Sequence, residues 1–449
     1  MIRAGYSRIR ITPPTGVPLA GFAAREGVST GVHDDLYVRA LVFERNGGAV
    51  AFASADVLAL AAPFVRRVRT AIAARIGLGP ERVLIASTHT HAGPVTISTF
   101  FNPGASLDEA YMTELASAIE DAVVRAWRDR HAARVGVGTS RVDGIGVNRR
   151  TPDQRPIDNE IGLIKVEDEQ GRPRALLLDY TCHPTVLGPD NLLVTGDYPA
   201  FALQRIEQAF GGGAVAMFIN GAQGNISVGH SSELSAIGVI TPGRTFERAI
   251  ELGHRLANAA LAALPSIAAT SNLPIASAVA TAPLPLKRYP SLDETSAALA
   301  AAERELADRA AEPSQVVGPL KTRRLYASIN HYYNGLARQE GNGILPIEVQ
   351  GLRVANALLV GVPAEVFVEI GLEAKRRAAH PLFIAGISNG YIGYLPHRAA
   401  YSANGYEVVA ARCTEDGADR LLAAIASLDE RLFAGAPDHA APVTSRDTE

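Results

Sequence analysis

Thr88-His89-Thr90-His91 follows the apolar run RVLIAS, so two imidazoles stand one residue apart where a strand is expected to end. In an extended segment, residues i and i+2 project to the same side. A pair so placed can hold a metal, hold one metal and move one proton, or serve as polar turn residues. Four further apolar runs end in the same manner. ALLLDYTC leads to His183, and AVAMFIN leads to Gly221-Ala222-Gln223-Gly224-Asn225-Ile226-Ser227. ALLVGVPA leads to Glu365, and LFIAGISNG leads to Tyr391 and Tyr394. Two histidines and a glutamate are a common donor set for catalytic zinc, which keeps one position open for water. No HExxH or other compact motif ties these residues together, so a shared site has to be assembled by the fold.

Each cluster also has a structural reading. His183-Pro184 suits a turn. Glu365 suits the first turn of a helix, where a carboxylate meets the positive end of the dipole. The glycines of GAQGN suit a tight turn, and the segment lacks the Gly-Lys-Ser/Thr ending of a phosphate loop. Cys182, beside His183 in an apolar strand, reads as a buried and inert thiol.

The elements that must position these residues alternate through the first 265 residues. VRALVFE (38–44) and AVAFASADV (49–57) read as strands, and residues 62–77 as a helix closed by Gly77. Ser106-Leu107-Asp108-Glu109 has the capping-box pattern, with Ser106 as N-cap. Leu115, Ile119, Val123 and Trp127 behind it form one apolar stripe. A helix begins at Asp197 with Pro199 in its first turn. This alternation predicts an α/β fold, a mixed sheet core covered by helices, with the site at the carboxyl ends of strands. Residues 265–345 read as a candidate insertion or subdomain, with a second capping box at Ser291-Leu292-Asp293-Glu294. One catalytic domain over 1–435 and a loose polar tail over 436–449 complete the expected organisation.

Composition bounds the function. The 449 residues are 47% hydrophobic and 20% charged, with a net charge of −3. That balance gives a large core and no basic field for nucleic acid. Pairs such as Arg323-Arg324 read as solvated helix faces. Two cysteines exclude a disulfide framework. No apolar run is long enough to span a membrane. No signal-peptide core is visible at the N-terminus, so the chain as given reads as cytoplasmic, or as secreted after loss of a leader. The expected partners are a small-molecule or lipid amide substrate and, at most, further copies of the chain.

Several ordered motifs resemble the neutral/alkaline (non-lysosomal) ceramidase family. They are STHTHAGP, VNRR (147–150), CHPT (182–185), GNIS (224–227), VPAEVF and a tyrosine series ending in GYE, within a likeness running from IRITPPTGVPLAGF to about residue 407. The resemblance implies one zinc ion per chain, held by His89, His183, Glu365 and Tyr394. It implies His91 as the acid/base group and Arg149 near the scissile carbonyl. Tyr406, twelve residues after Tyr394, matches a second functional tyrosine, and Ser227 matches the serine of the family's G-D-x-S-P-N. Asn225 and Val228 depart from that last motif, which favours a structural role for Ser227. The family's usual β-sandwich after the catalytic region has no room before residue 449. The implied reaction is zinc-dependent hydrolysis of an N-acyl amide, N-acylsphingosine first. The alternatives are a smaller N-acyl amine, ester or lactone, or a non-catalytic lipid-binding role.

Overall fold

The computed structural model describes residues 1–100, 102, 106–150 and 156–434; the expected tail at 436–449 lies outside them. Three mixed sheets share one core. The first has the order β5-β4-β3-β1-β6, from β1 (Arg3–Arg10), β3 (Tyr37–Arg45), β4 (Gly48–Ala55), β5 (Val83–Ser87) and β6 (His131–Ala132). The second runs β12-β10-β9-β7, from β7 (Arg134–Arg141), β9 (Glu160–Glu167), β10 (Pro173–Tyr180) and β12 (Val215–Asn220). The third runs β14-β15-β16-β18, from β14 (Ile275–Pro285), β15 (Ile344–Val354), β16 (Ala357–Gly361) and β18 (Leu382–Ala385). Three two-residue pairs complete the set: β2 (Gly31–Val32) with β11 (Leu193–Val194), β8 (Val147–Asn148) with β13 (Ile226–Ser227), and β17 (Glu365–Val366) with β19 (Tyr394–Leu395).

Period-2 alternation sends each sheet's two faces to different cores. Leu41, Phe43, Phe52, Leu84, Leu177, Met217, Leu359 and Phe383 meet where the three sheets face one another. The opposite faces are backed by helices. Val38, Val42 and Ile85 pack on α1 (Ala62–Ile76) and α2 (Glu109–Arg128). Leu176, Leu178 and Phe218 pack on α3 (Asp197–Phe210) and α5 (Phe246–Ala263). Leu358, Val360 and Ile384 pack with residues of α7 (Ser314–Gln339), α8 (Val368–Arg377) and α11 (Gly417–Phe433). The α/β expectation holds, with helices covering mixed sheets. The five site-bearing runs, however, lie in three sheets and not one.

Local signals behave as their chemistry dictates, with one exception. Gly77 closes α1 at φ 69°, its N–H bonded to the Ala73 carbonyl. Ser291 and Glu294 cap α6 (Leu292–Asp308) reciprocally. Helix α2 is capped by Asp108, which accepts from the Tyr111 N–H, and not by Ser106. The later start puts Tyr111 into the core, where its hydroxyl donates to the Ile11 carbonyl at 2.8 Å. Residues 265–345 supply β14, which pairs with β15 over eleven positions, and the α6–α7 hairpin, whose Leu325, Ile329 and Tyr333 join the third sheet's core.

Candidate metal and catalytic centre

In each sheet one strand pair is parallel: β4 with β5, β10 with β12, and β16 with β18. The carboxyl ends of these three pairs converge, and backbone hydrogen bonds stitch them together. The Gly386 N–H bonds the Asn220 carbonyl at 2.8 Å, and the Gly221 N–H bonds the Tyr180 carbonyl at 2.9 Å. Beyond β18 the chain runs beside β5, with Ser87 N–H on the Ile387 carbonyl and Asn389 N–H on the Ile85 carbonyl. Gly224 is required at the crossing over β17, because a Cβ there would stand 2.5 Å from the Glu365 carbonyl oxygen. Three non-glycine residues at this junction, His89, Ile387 and Asn389, have φ between 52° and 70°, a conformation that costs energy and gathers at functional sites.

His89 follows β5 in that left-handed conformation, so the extended geometry expected for the His89–His91 pair does not hold. The rings still meet, with centroids 4.9 Å apart. The His89 Nδ1 faces the Leu58 carbonyl at 2.8 Å. The His183 Nδ1 faces two carbonyls, Gln223 and Ile226, each at 2.9 Å. A carbonyl can only accept, so both histidines carry their proton on Nδ1. The Nε2 atoms therefore point inward, to Glu365 Oε2 at 3.6 Å from His89 and 2.8 Å from His183. Burial, and then Arg149, lower the His183 pKa to about 4. Burial opposes ionisation of Glu365, but His89 and His183 outweigh it and hold the carboxyl well below its usual range. Two imidazole Nε2 atoms turned on one carboxylate oxygen form a donor set of the kind that binds a metal cation. Nδ1 atoms fixed by carbonyls, with Nε2 free to coordinate, are the usual outer support of a metal site, and the donor set fits such an ion.

The ligand-capable nitrogens of His89, His91 and His183 all lie within 4.8 Å of one another. His91 differs from the other two: both its ring nitrogens are sheltered and neither has a protein partner. Its ring packs edge-on against Phe22, with centroids 4.9 Å apart. Glu365 and Tyr394 are register partners across β17 and β19. The hydroxyl that reaches Glu365 Oε1, at 2.6 Å, nevertheless belongs to Tyr391. The Tyr394 hydroxyl accepts from Arg149 Nη2 at 3.0 Å. Burial, reinforced by Glu365, pushes both phenols up. Tyr406 lies beside Tyr394, with ring centroids 5.9 Å apart. The chain thus brings seven of the eight expected residues together.

Ser227 lies on β13. Its hydroxyl donates to the His230 carbonyl at 2.8 Å, while its neighbour Ile226 supplies a carbonyl to His183. Asn225, the departure from the family pattern, accepts from the Val368 N–H at 2.9 Å and donates to Glu369 at 2.9 Å. It thereby caps α8 from outside, and an aspartate could not make the second bond. Sequence reasoning missed Glu407, which anchors Arg149 and Arg150 at 2.8 Å each; its place in GYE, one residue after Tyr406, was the available signal. Cys182 is fully buried and burial raises its pKa, which suits an inert thiol.

The cavity bordered by His91, Arg149, Tyr394 and Tyr406 measures about 30 Å³. A larger cavity of about 530 Å³, beside Arg8, Arg39 and Glu207, shares no lining residue with it.

Comparison with known proteins gives a consistent picture. The N-terminal model of the neutral/alkaline non-lysosomal ceramidases matches residues 3–233. The neutral ceramidase of Oryza sativa subsp. japonica is 26% identical over 222 residues, covering 45% of this chain and 28% of that protein. Neutral ceramidase 2 of Arabidopsis thaliana is 25% identical over 219 residues, covering 45% of this chain and 29% of that protein. The matched region thus spans less than a third of these relatives. The crystal structure of neutral ceramidase from Pseudomonas aeruginosa superposes with a TM-score of 0.74 at 20% identity, over 96% of this chain and 75% of that chain. At that identity the likeness speaks to the fold.

Proposed function

The chain belongs to the neutral/alkaline non-lysosomal ceramidase family, and from that premise we propose that it hydrolyses a linear N-acyl amide with a zinc ion held by His89, His183, Glu365 and Tyr394. One observation carries the reading: two Nδ1-protonated histidines turn their Nε2 atoms on one buried carboxylate oxygen, at 3.6 and 2.8 Å. Bound there, zinc would supply Lewis-acid polarisation of a carbonyl and a water ionised near neutral pH.

The chain's own residues supply the rest. His91 has both ring nitrogens unengaged, and burial, then His89 and His183, hold its pKa well below the usual imidazole value. It takes a proton from the attacking water and passes it to the leaving nitrogen, because an amine cannot depart as its anion. Arg149, fixed by Glu407 and the Gly224 carbonyl, and Tyr406 stabilise the developing oxyanion; one such donor is worth about 3 kcal/mol in the transition state. Ser227 holds the 227–230 turn and takes no part in the chemistry.

The relatives' names make N-acylsphingosine the first substrate to try. The cavity of about 30 Å³ favours a second reading, a smaller N-acyl amine. Elemental analysis, joined to assays of an N-acylsphingosine and a short N-acyl amine before and after chelation, tests both. Zinc near one per chain with chelator-sensitive turnover supports the scheme, and the better substrate decides between the readings. A metal-free protein that still turns over either amide overturns the zinc reading.

A further inference from the structure

The inner cavity beside His91 and Tyr406 has room for little more than the reacting amide: about 30 Å³ is roughly two water-sized volumes. Its wall mixes the side chains of Thr185, Ser231, Ser232 and Ser235 with those of Phe22, Ala23 and Ala236. Ala23 and Ala236 line both this cavity and a neighbouring cleft of about 380 Å³. Ala236 ends the short helix α4 (Ser232–Ala236), and the far side of the cleft is the α6–α7 hairpin, through Leu306, Lys321, Arg324 and Leu325.

Charge in the outer cleft is unbalanced. Arg25, Lys321 and Arg324 face it against a single carboxylate, Glu26. Among the described residues neither Lys321 nor Arg324 has an ion-pair partner, whereas the adjacent Arg323 turns away to pair with Glu305. Arg323 and Arg324 are both exposed, as expected of a solvated helix face, and Arg324 also borders the cleft. Arg25 donates to the Ala20 and Gly188 carbonyls and lies 5.0 Å from the centre of the Phe22 ring. Those hydrogen-bond partners are neutral, and Asp190 is the carboxylate that acts on the guanidinium. Ile237, Leu306 and Leu325 give the same cleft an apolar floor.

An apolar floor rimmed by three cations is complementary to an amphipathic anion. We infer that the substrate carries its longer arm in this cleft and that the arm ends in an anionic group, a carboxylate or phosphate, selected by Arg25, Lys321 and Arg324. The inference rests on the amide-hydrolysis reading in its smaller-substrate form. A short acyl group on an amine with an apolar stem and a terminal anion meets both spaces.

The test uses the full chain and three probes with one stem: 6-acetamidohexanoate, 6-acetamidohexyl phosphate and neutral N-hexylacetamide. Equilibrium binding and turnover are both measured. At low salt an anionic probe binds at least about tenfold more tightly than the neutral one, and the ratio shrinks as salt screens the cleft. Lys321 and Arg324 are exposed, so a K321Q/R324Q chain folds, and in it the anionic advantage falls below about threefold. Preference for carboxylate or phosphate then names the anion. Equal affinity for charged and neutral probes overturns the inference, as does a double variant that keeps the full ratio. Anion-selective binding without hydrolysis keeps the cleft assignment and counts against the amidase reading, while hydrolysis without anion preference does the reverse.

Discussion

His91 is the residue whose situation is hardest to explain structurally. Its ring nitrogens are buried without a partner, and an orphaned buried polar group is a cost that a packing role would not justify. His91→Ala leaves no protein group unpaired, so the melting temperature should stay within a few degrees while kcat/KM falls about 10²- to 10⁴-fold. A variant retaining near-normal turnover would remove His91 from the proton path. Glu407 makes the contrasting case. It accepts from Arg149 Nε, Arg150 Nη1 and Ser232 Oγ, so Glu407→Ala strands buried positive charge and should cost about 3–5 kcal/mol in a denaturant titration. The histidine pair, His183, Glu365 and the tyrosines stood out as polar residues at strand ends, but their grouping into one donor set came from the resemblance to the ceramidases. Glu407 was not legible, because its meaning depends on arginines more than 250 positions away. The twelve-residue spacing to Tyr406 favoured Tyr394 over Tyr391, yet the hydroxyl that meets Glu365 is that of Tyr391.

At the scale of elements, strand ends were readable and strand neighbours were not. Each apolar run stops where polar chemistry begins, and all five became strands. Their distribution over three sheets is set by pairings between distant segments, such as β16 with β18 and β10 with β12, which no local pattern encodes. The α2 start shows a similar limit: Ser106 and Asp108 are both good N-caps, and burial of Tyr111 decides between them. The junction of elements gives its own prediction. A Cβ on Gly386 would stand 2.7 Å from the Gly221 carbonyl oxygen and 3.0 Å from Gln223 Oε1. Gly386→Ala should therefore destabilise by about 1–3 kcal/mol. It should also weaken metal retention, because the displaced 386–391 segment carries Tyr391 to Glu365. A variant with unchanged stability and metal content would mean that the three sheets do not depend on this crossing.

For the whole molecule, the three sheets meet at one core, so stability and site share the same packing, and buried titratable groups near the site report on the entire fold. Two of them act in opposite directions. His230, against Thr241 and Arg248, has its pKa lowered to about 4 by burial and then by Arg244 and Arg248. The unfolded chain takes up this proton near pH ~6.5. Below that pH the unfolded state binds more protons, so stability is lost as pH falls from about 6.5 toward 4. Asp197 opens α3 and accepts from the Val186, Leu187 and Tyr198 N–H groups, yet burial raises its pKa to about 6. There the folded state binds the extra proton, and stability is gained as pH falls from about 6 toward ~3.9. The two effects offset one another in the native chain. His230→Gln should remove the loss and leave a protein whose melting temperature falls less on acidification from pH 7 to about 4.5. Asp197→Asn should remove the gain and steepen the fall over the same range. Scanning calorimetry of the three proteins across that range measures both slopes, and parallel curves would mean that neither group changes its proton affinity on folding.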